Sequence, residues 1–273
     1  LAVVLPNSFG EDLIHMNKTS VQLVADASDP NVANTLTNYA TAVIMDYQNG
    51  ITNNQKLPYT IKVETRMLYN PQLKGAYNFV PGVMAMVLLL VCTMMTAITI
   101  VREKEMGTME ILLVSPMKPQ MIVFAKAVPY LLLSTINIAS ILLLSVYALE
   151  VPINGSLLLL VSESILFTLV SLSLGLLISS AAESQQVAMF ISLVALFLPT
   201  VMLSGFMFPI ENMPLPLRVV SNIVPAKWYY HIVKSVMIQG VGIADIWKET
   251  LVLAGMMIFF LTVAVKRFKI RLQ

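Results

Sequence analysis

The sequence predicts an α-helical integral membrane protein: five transmembrane helices preceded by a small α/β domain. Three observations carry this. Hydrophobic residues make up 57% of the 273 positions and charged residues 12%, against about 45–50% and about 25% in soluble domains; the mean hydropathy is +0.79. Five apolar runs approach the roughly 20 residues that cross about 30 Å of hydrocarbon. Polarity is also uneven, since residues 1–79 are polar and punctuated while the remainder is apolar with short charged interruptions. The net charge of +2 comes with no basic face interleaved with aromatics, which excludes nucleic acid as a partner. The single cysteine, Cys92, lies inside an apolar run, which removes internal disulfides and thiolate metal clusters.

In residues 1–79, positions 1–5 read as a short buried strand closed by Pro6, and 8–16 as a short helix. Positions 21–24 alternate as a strand. Residues 26–30 turn into a helix over 32–47, with Asp29 as N-cap and Pro30 at the first helical position. Residues 59–68 alternate again, with Ile61, Val63, Thr65 and Met67 on one side. Such a module, under about 80 residues, is marginal alone, and is expected to need further N-terminal residues, the membrane part or a second copy. The chain starts at Leu1 without the basic start and long apolar core of a signal peptide. It therefore reads as a fragment whose missing upstream helix delivers 1–79 to the outside.

Residues 80–101 form the first predicted span and 122–149 the second, kinked near Pro129. The third covers 157–180, interrupted by Glu163; the fourth covers 187–208, with Pro199 in its outer half and Ser204-Gly205 near its end. Residues 209–248 are cut by Pro209, Pro214, Pro216 and Pro225. They read as an outer re-entrant or interfacial segment with two short helices, 215–222 and 227–239, whose Trp228, Tyr229 and Tyr230 suit an aromatic belt. The last span, 250–265, is slightly short. Sidedness follows the excess of Lys and Arg in short inner loops. Arg102, Lys104, Lys118 and Lys126 mark one inner connection, and Lys266, Arg267, Lys269 and Arg271 an inner C-terminus. Residues 150–156 lack a basic residue and fall outside, whereas 181–186 make a tight inner turn. The alternation closes with residues 1–79 outside.

The charged connection after the first span has helical spacing over about 102–115. Met106, Met109 and Leu113 share a face with Leu112 beside them, and Glu103, Gly107 and Glu110 line another. This is a short amphipathic helix on the inner surface, suited to a partner. Its residues Val101-Arg102-Glu103-Lys104-Glu105, Gly107-Thr108, Glu110 and Leu112-Leu113-Val114-Ser115-Pro116 resemble the signature connection of the type 2 ABC-exporter permeases, in the drug-efflux-like branch with a large extracytoplasmic loop. Tyr69-Asn70-Pro71, Phe79-Val80-Pro81-Gly82, Gly175-Leu176-Leu177-Ile178-Ser179, Leu203-Ser204-Gly205-Phe206-Met207-Phe208-Pro209, the segment from Met213-Pro214 to Pro225 and the basic tail come in the family's order. The start departs from the pattern, because such permeases carry a cytoplasmic N-terminus and a first membrane helix ahead of the outer domain.

The resemblance implies a six-helix permease in a bacterial cytoplasmic (inner) membrane that exports a hydrophobic or amphiphilic substrate. It would pair with a second permease, identical or paralogous, among membrane lipid, and dock on two ABC ATPase subunits that use the ATP and magnesium. Coupling would fall to Arg102, Glu103, Glu105, Gly107, Thr108, Glu110, Leu113, Ser115 and Pro116. The chain's own residues agree in offering no catalysis. None of its eleven glycines is followed by lysine, so no phosphate-binding loop of the usual kind is present, and nucleophile-turn and zinc-protease motifs are absent.

Glu163 has two readings: a substrate path or a hydrogen bond across the bundle, or an acid near the outer interface that reaches water, Ser162, Ser164 or a lysine of the outer segment. The second is the expectation. Pro129 and Pro199 read as static kinks rather than hinges. Ser171, Ser173 and Gly175 form a small-residue face for close packing or a transport path, and Gly205 joins Pro199 as a candidate beside that path. His15 and His231 stand alone in the sequence and suggest no metal. An ion-driven secondary transporter predicts paired intramembrane charges and an internal repeat, neither of which the sequence contains. A membrane-anchored sensor or scaffold needs only one or two spans.

Overall fold

The computed structural model describes residues 1–52, 60–108 and 119–270, the last stretch with its side chains from 128 to 266. The chain forms two compact units, Leu1–Asn78 and Phe79–Gln273.

The first unit holds β1 (Ala2–Val4), α1 (Phe9–Met16), β2 (Lys18–Asp26), α2 (Pro30–Thr52) and β3 (Thr60–Leu68). β2 is central: it pairs antiparallel with β1 and parallel with β3, with Val21 opposite Val63. Its side chains alternate, so Val21 and Leu23 meet Leu13 and Ile61 in a core that also takes Phe9, Ala40 and Ile44. The Asp29 carboxylate accepts from the Asn31 and Val32 amides at 3.1 and 3.3 Å, capping α2 as its sequence predicts. Two expectations change. β1 is not buried, with Val3 53% exposed, because an edge strand of three residues has a neighbour on one side only. α2 runs beyond 47 to Thr52, where Ile51 reaches the core and Gln48 Oε1 accepts from the Ile61 amide at 2.9 Å. That bond ties the helix to β3.

The second unit holds α3 (Ala76–Glu105), α4 (Pro119–Tyr147), α5 (Leu157–Ala181), α6 (Gln185–Leu203), α7 (Leu215–Ser221), α8 (Pro225–Lys234), a π turn (Ser235–Gln239) and α9 (Ile243–Ile270). Among the described residues α3, α4, α5, α6 and α9 are long and apolar enough to cross a membrane, so the chain is a multi-pass membrane protein. Glu163 does not interrupt α5, and Pro129 and Pro199 lie within continuous helices. The fourth span stops at Leu203 rather than 208, because Gly205 takes a left-handed conformation (φ 86°) that glycine adopts without steric cost. The last helix begins at Ile243 rather than 250. Lys248 and Glu249 are carried on its first turns, so it is not short.

The largest change concerns the charged connection. Arg102 to Glu105 are the last turn of α3, and the chain then breaks at Met106-Gly107, with Gly107 at φ 71°. Residues 102–105 of the expected amphipathic helix are therefore the end of α3, and residues 109–115 of it lie outside the described residues. Left-handed glycine at a helix end is the usual stop signal, and here it separates the membrane helix from the rest of the connection. Glu110, Leu113, Ser115 and Pro116 lie outside the described residues.

α5 is the central helix. Gly175 faces α3 so closely that a Cβ there would sit 2.6 Å from the Thr93 carbonyl oxygen and 2.7 Å from Thr96 Cβ. One turn away, the Thr93 hydroxyl donates to the Ser171 carbonyl at 2.9 Å. Small residues allow that approach, and the hydroxyl satisfies a polar group away from water.

Candidate functional site

Two polar constellations stand out in the helical unit. The first is the corner where α3 ends. Arg102 and Lys104 fall in its last turn, where positive charge complements the helix dipole. The Lys104 ammonium donates to the Ser179 carbonyl in the last turn of α5. Glu105 reaches the start of α6: one oxygen accepts from the Gln185 amide at 2.9 Å and the other from the Gln185 side-chain nitrogen. Ser184 caps α6 through its hydroxyl, which accepts from the Val187 amide at 3.2 Å. Beneath these contacts Ala97, Val101, Ala182 and Ala188 are fully buried, with Ile178 against them. Arg102 and Met106 remain exposed, and the Thr108 hydroxyl donates to the Glu103 carbonyl at 3.3 Å. Of the residues that spacing groups together, Lys104 and Glu105 therefore bond to the α5–α6 turn, Glu105 while remaining exposed, and Arg102 and Met106 are exposed as well.

The second constellation lies toward the opposite end of α5. Glu163 is 4% exposed and accepts from the Thr250 hydroxyl of α9 at 2.9 Å; its other oxygen is buried with no hydrogen-bond partner among the described residues. The expected partners are engaged elsewhere. Ser162 donates to the Leu159 carbonyl, and Ser164 bonds to the Tyr229 hydroxyl at 2.7 Å. Glu163 thus accepts across the bundle from α9 and is shielded from solvent. Tyr229 also stacks on Phe167, with ring centroids 4.1 Å apart, and is hidden from solvent. The aromatic belt is corrected accordingly, since Tyr229 and Tyr230 are core residues and only Trp228 is partly exposed. The π turn packs on the loop before α5. Asn154 donates to the Met237 and Ile238 carbonyls at 2.9 and 2.7 Å, and a Cβ on Gly155 would lie 2.3 Å from the Val236 oxygen. His231 is not isolated: its Nδ1 lies 3.6 Å from Glu249.

Pro199 lines an apolar cavity of about 470 Å³ with Met202, Phe208, Met213 and Leu217. Gly205 adjoins this end of α6, where its left-handed turn brings Ile210 and Tyr230 close. Two contacts escape sequence reasoning, Glu105 to Gln185 and Glu163 to Thr250. An acid at the C-terminal end of a helix, against its own dipole, is the one local signal for the first.

A family model described as ABC-2 family transporter protein matches residues 1–266. The chain is similar to the probable multidrug ABC transporter permease YbhS of Escherichia coli (strain K12), 35% identical over 241 residues, covering 87% of this chain and 64% of that protein. It is also similar to the probable multidrug ABC transporter permease YbhR of the same strain, 31% identical over 249 residues (91% of this chain, 67% of the relative). The inner membrane transport permease YhhJ, again of that strain, is 29% identical over 278 residues (98% and 72%). The chain thus spans about two thirds of the length of these relatives.

Proposed function

Because this chain belongs to the ABC-2 family of transporter proteins, we propose that it is the membrane-spanning permease part of an ATP-binding-cassette exporter. On this reading it moves a hydrophobic or amphiphilic substrate outward, and a separate ATPase subunit hydrolyses the magnesium-bound ATP. Two such permeases, identical or paralogous, assemble with the ATPase subunits in a bacterial inner membrane. Residues 1–79 lie outside and the C-terminus inside.

The observation that carries this reading is the corner at the end of α3. A membrane helix ends in a charged turn at Gly107, and its last residues are packed and hydrogen-bonded against the α5–α6 turn. The left-handed glycine ends α3 and redirects the chain at Met106-Gly107. On this reading Arg102 and Thr108 contact the ATPase, as do Glu110, Leu113, Ser115 and Pro116, which lie outside the described residues, whereas Glu103 keeps a carboxylate oxygen buried. Closure of the ATPase pair pushes this segment, and the packed corner passes the push into the helices.

The apolar cavity beside Pro199 and Gly205 suits a greasy substrate better than a charged one. The buried face containing Ser171 and Gly175 serves helix packing, since its polar groups are spent within the bundle.

The test is co-expression of the full-length protein with a tagged cognate ATPase subunit, followed by ATP-driven movement of an amphiphilic dye into the lumen of inverted-membrane vesicles, the topological equivalent of efflux. Co-purification together with efflux that stops without ATP is expected. Dye movement driven by an ion gradient with no ATPase bound would overturn the reading in favour of a secondary transporter.

A further inference from the structure

α6 is held differently at its two ends. At its start, the Glu105 carboxylate occupies the helix N-terminus with both oxygens, taking the Gln185 amide and side-chain nitrogen. On the other limb of the same turn, the Lys104 ammonium sits on the Ser179 carbonyl at the C-terminal end of α5. Each charge is matched to its own helix end, the anion to the positive N-terminus and the cation to the negative C-terminus. Neither match depends on a partner protein. The small buried side chains of Ala97, Val101, Ala182 and Ala188 bring the backbones close enough for both grips.

Beyond that corner α6 is peripheral, with Phe190, Leu193, Val194, Phe197 and Leu198 exposed along it. Its far end forms the wall of the apolar cavity through Leu198, Pro199, Met202 and Leu203. At about 1.5 Å per residue, one rigid helix joins the latched corner to the cavity wall.

We infer that Lys104 and Glu105 form a latch that makes α6 a lever, carrying displacement of the end of α3 to the wall of the apolar cavity. The inference rests on the reading of the chain as an ATP-driven permease. Glu105 is a positioning residue in it, acting through Gln185 and not by touching the ATPase.

The experiment uses the full-length protein with its ATPase subunit in lipid nanodiscs, with Cys92→Ser and a nitroxide attached at Met202→Cys. The EPR line shape is recorded without nucleotide and after trapping with magnesium, ATP and vanadate. A nucleotide-dependent change is expected in this parent. It should be lost in Glu105→Ala and in Gln185→Pro, and about halved in Gln185→Ala, which keeps the backbone donor. Proline removes both donors yet is accepted at a first helical position, and Gln185 is that residue of α6. Should the proline variant fail to insert, Glu105→Ala and Gln185→Ala decide. The latch is overturned if the parent shows no change, if the change persists in Glu105→Ala, or if Glu105→Ala alone loses the ATPase while the Gln185 variants behave as the parent. No ATPase co-purifying with the parent would instead remove the underlying reading.

Discussion

Glu163 places one oxygen on the Thr250 hydroxyl and keeps the other from water, so removing the donor leaves both oxygens unpaired inside the bundle. Thr250→Val is expected to destabilise the helical unit by about 1–3 kcal/mol, the cost of stranding a buried polar group. The double change Glu163→Leu with Thr250→Val should recover much of that loss, because two apolar groups strand nothing. Thermal unfolding of the four proteins of this cycle in detergent measures the coupling; strict additivity would show that the two side chains do not meet. The position of Glu163 inside an apolar run is plain in the sequence. Its partner is not, since Thr250 lies 87 positions away and resembles any threonine at the head of a span.

At the scale of elements, the contact of α3 with α5 depends on the absence of a side chain at Gly175. Gly175→Ala puts a Cβ 2.6 Å from the Thr93 oxygen, and overpacking of this kind typically costs about 1–3 kcal/mol. A fall in the unfolding midpoint with Thr93→Ala unable to relieve it is expected, because the obstructing atom belongs to the backbone. An unchanged midpoint would mean the helices are not in contact there. The elements themselves are largely legible, because their signals are local: the Asp29 cap, the alternation in β2 and β3, and apolar runs of spanning length. The errors are local as well. Ser204-Gly205 reads as the tail of a span although glycine ends it, and Trp247-Lys248-Glu249 reads as a loop although a helix protruding from the apolar layer carries charges readily. The latch at Gln185 is illegible, for it joins residues 80 positions apart and its acid reads as a docking residue. Tyr229 misleads in the same way. Its aromatic neighbours suggest an interface, whereas Ser164 and Phe167 hold it in the core.

In the whole molecule, the two units divide the work that the family reading assigns. The α/β unit has its own small core around Val21, Leu23 and Ile61. The helical unit concentrates its polar contacts at the two ends of α5, one at the charged corner and one beside the buried π turn. Contact between an ATPase and the chain leaving α3 at Gly107 is what the proposed function requires. It is tested most directly in the full-length protein with Cys92→Ser and Thr108→Cys, co-expressed with the ATPase subunit and treated with a short thiol-to-amine crosslinker. A crosslink between the two subunits whose yield changes several-fold on adding magnesium and ATP is the predicted result. Thr108→Cys that labels readily from the cytoplasmic side, yet forms no crosslink under any nucleotide condition, would contradict it.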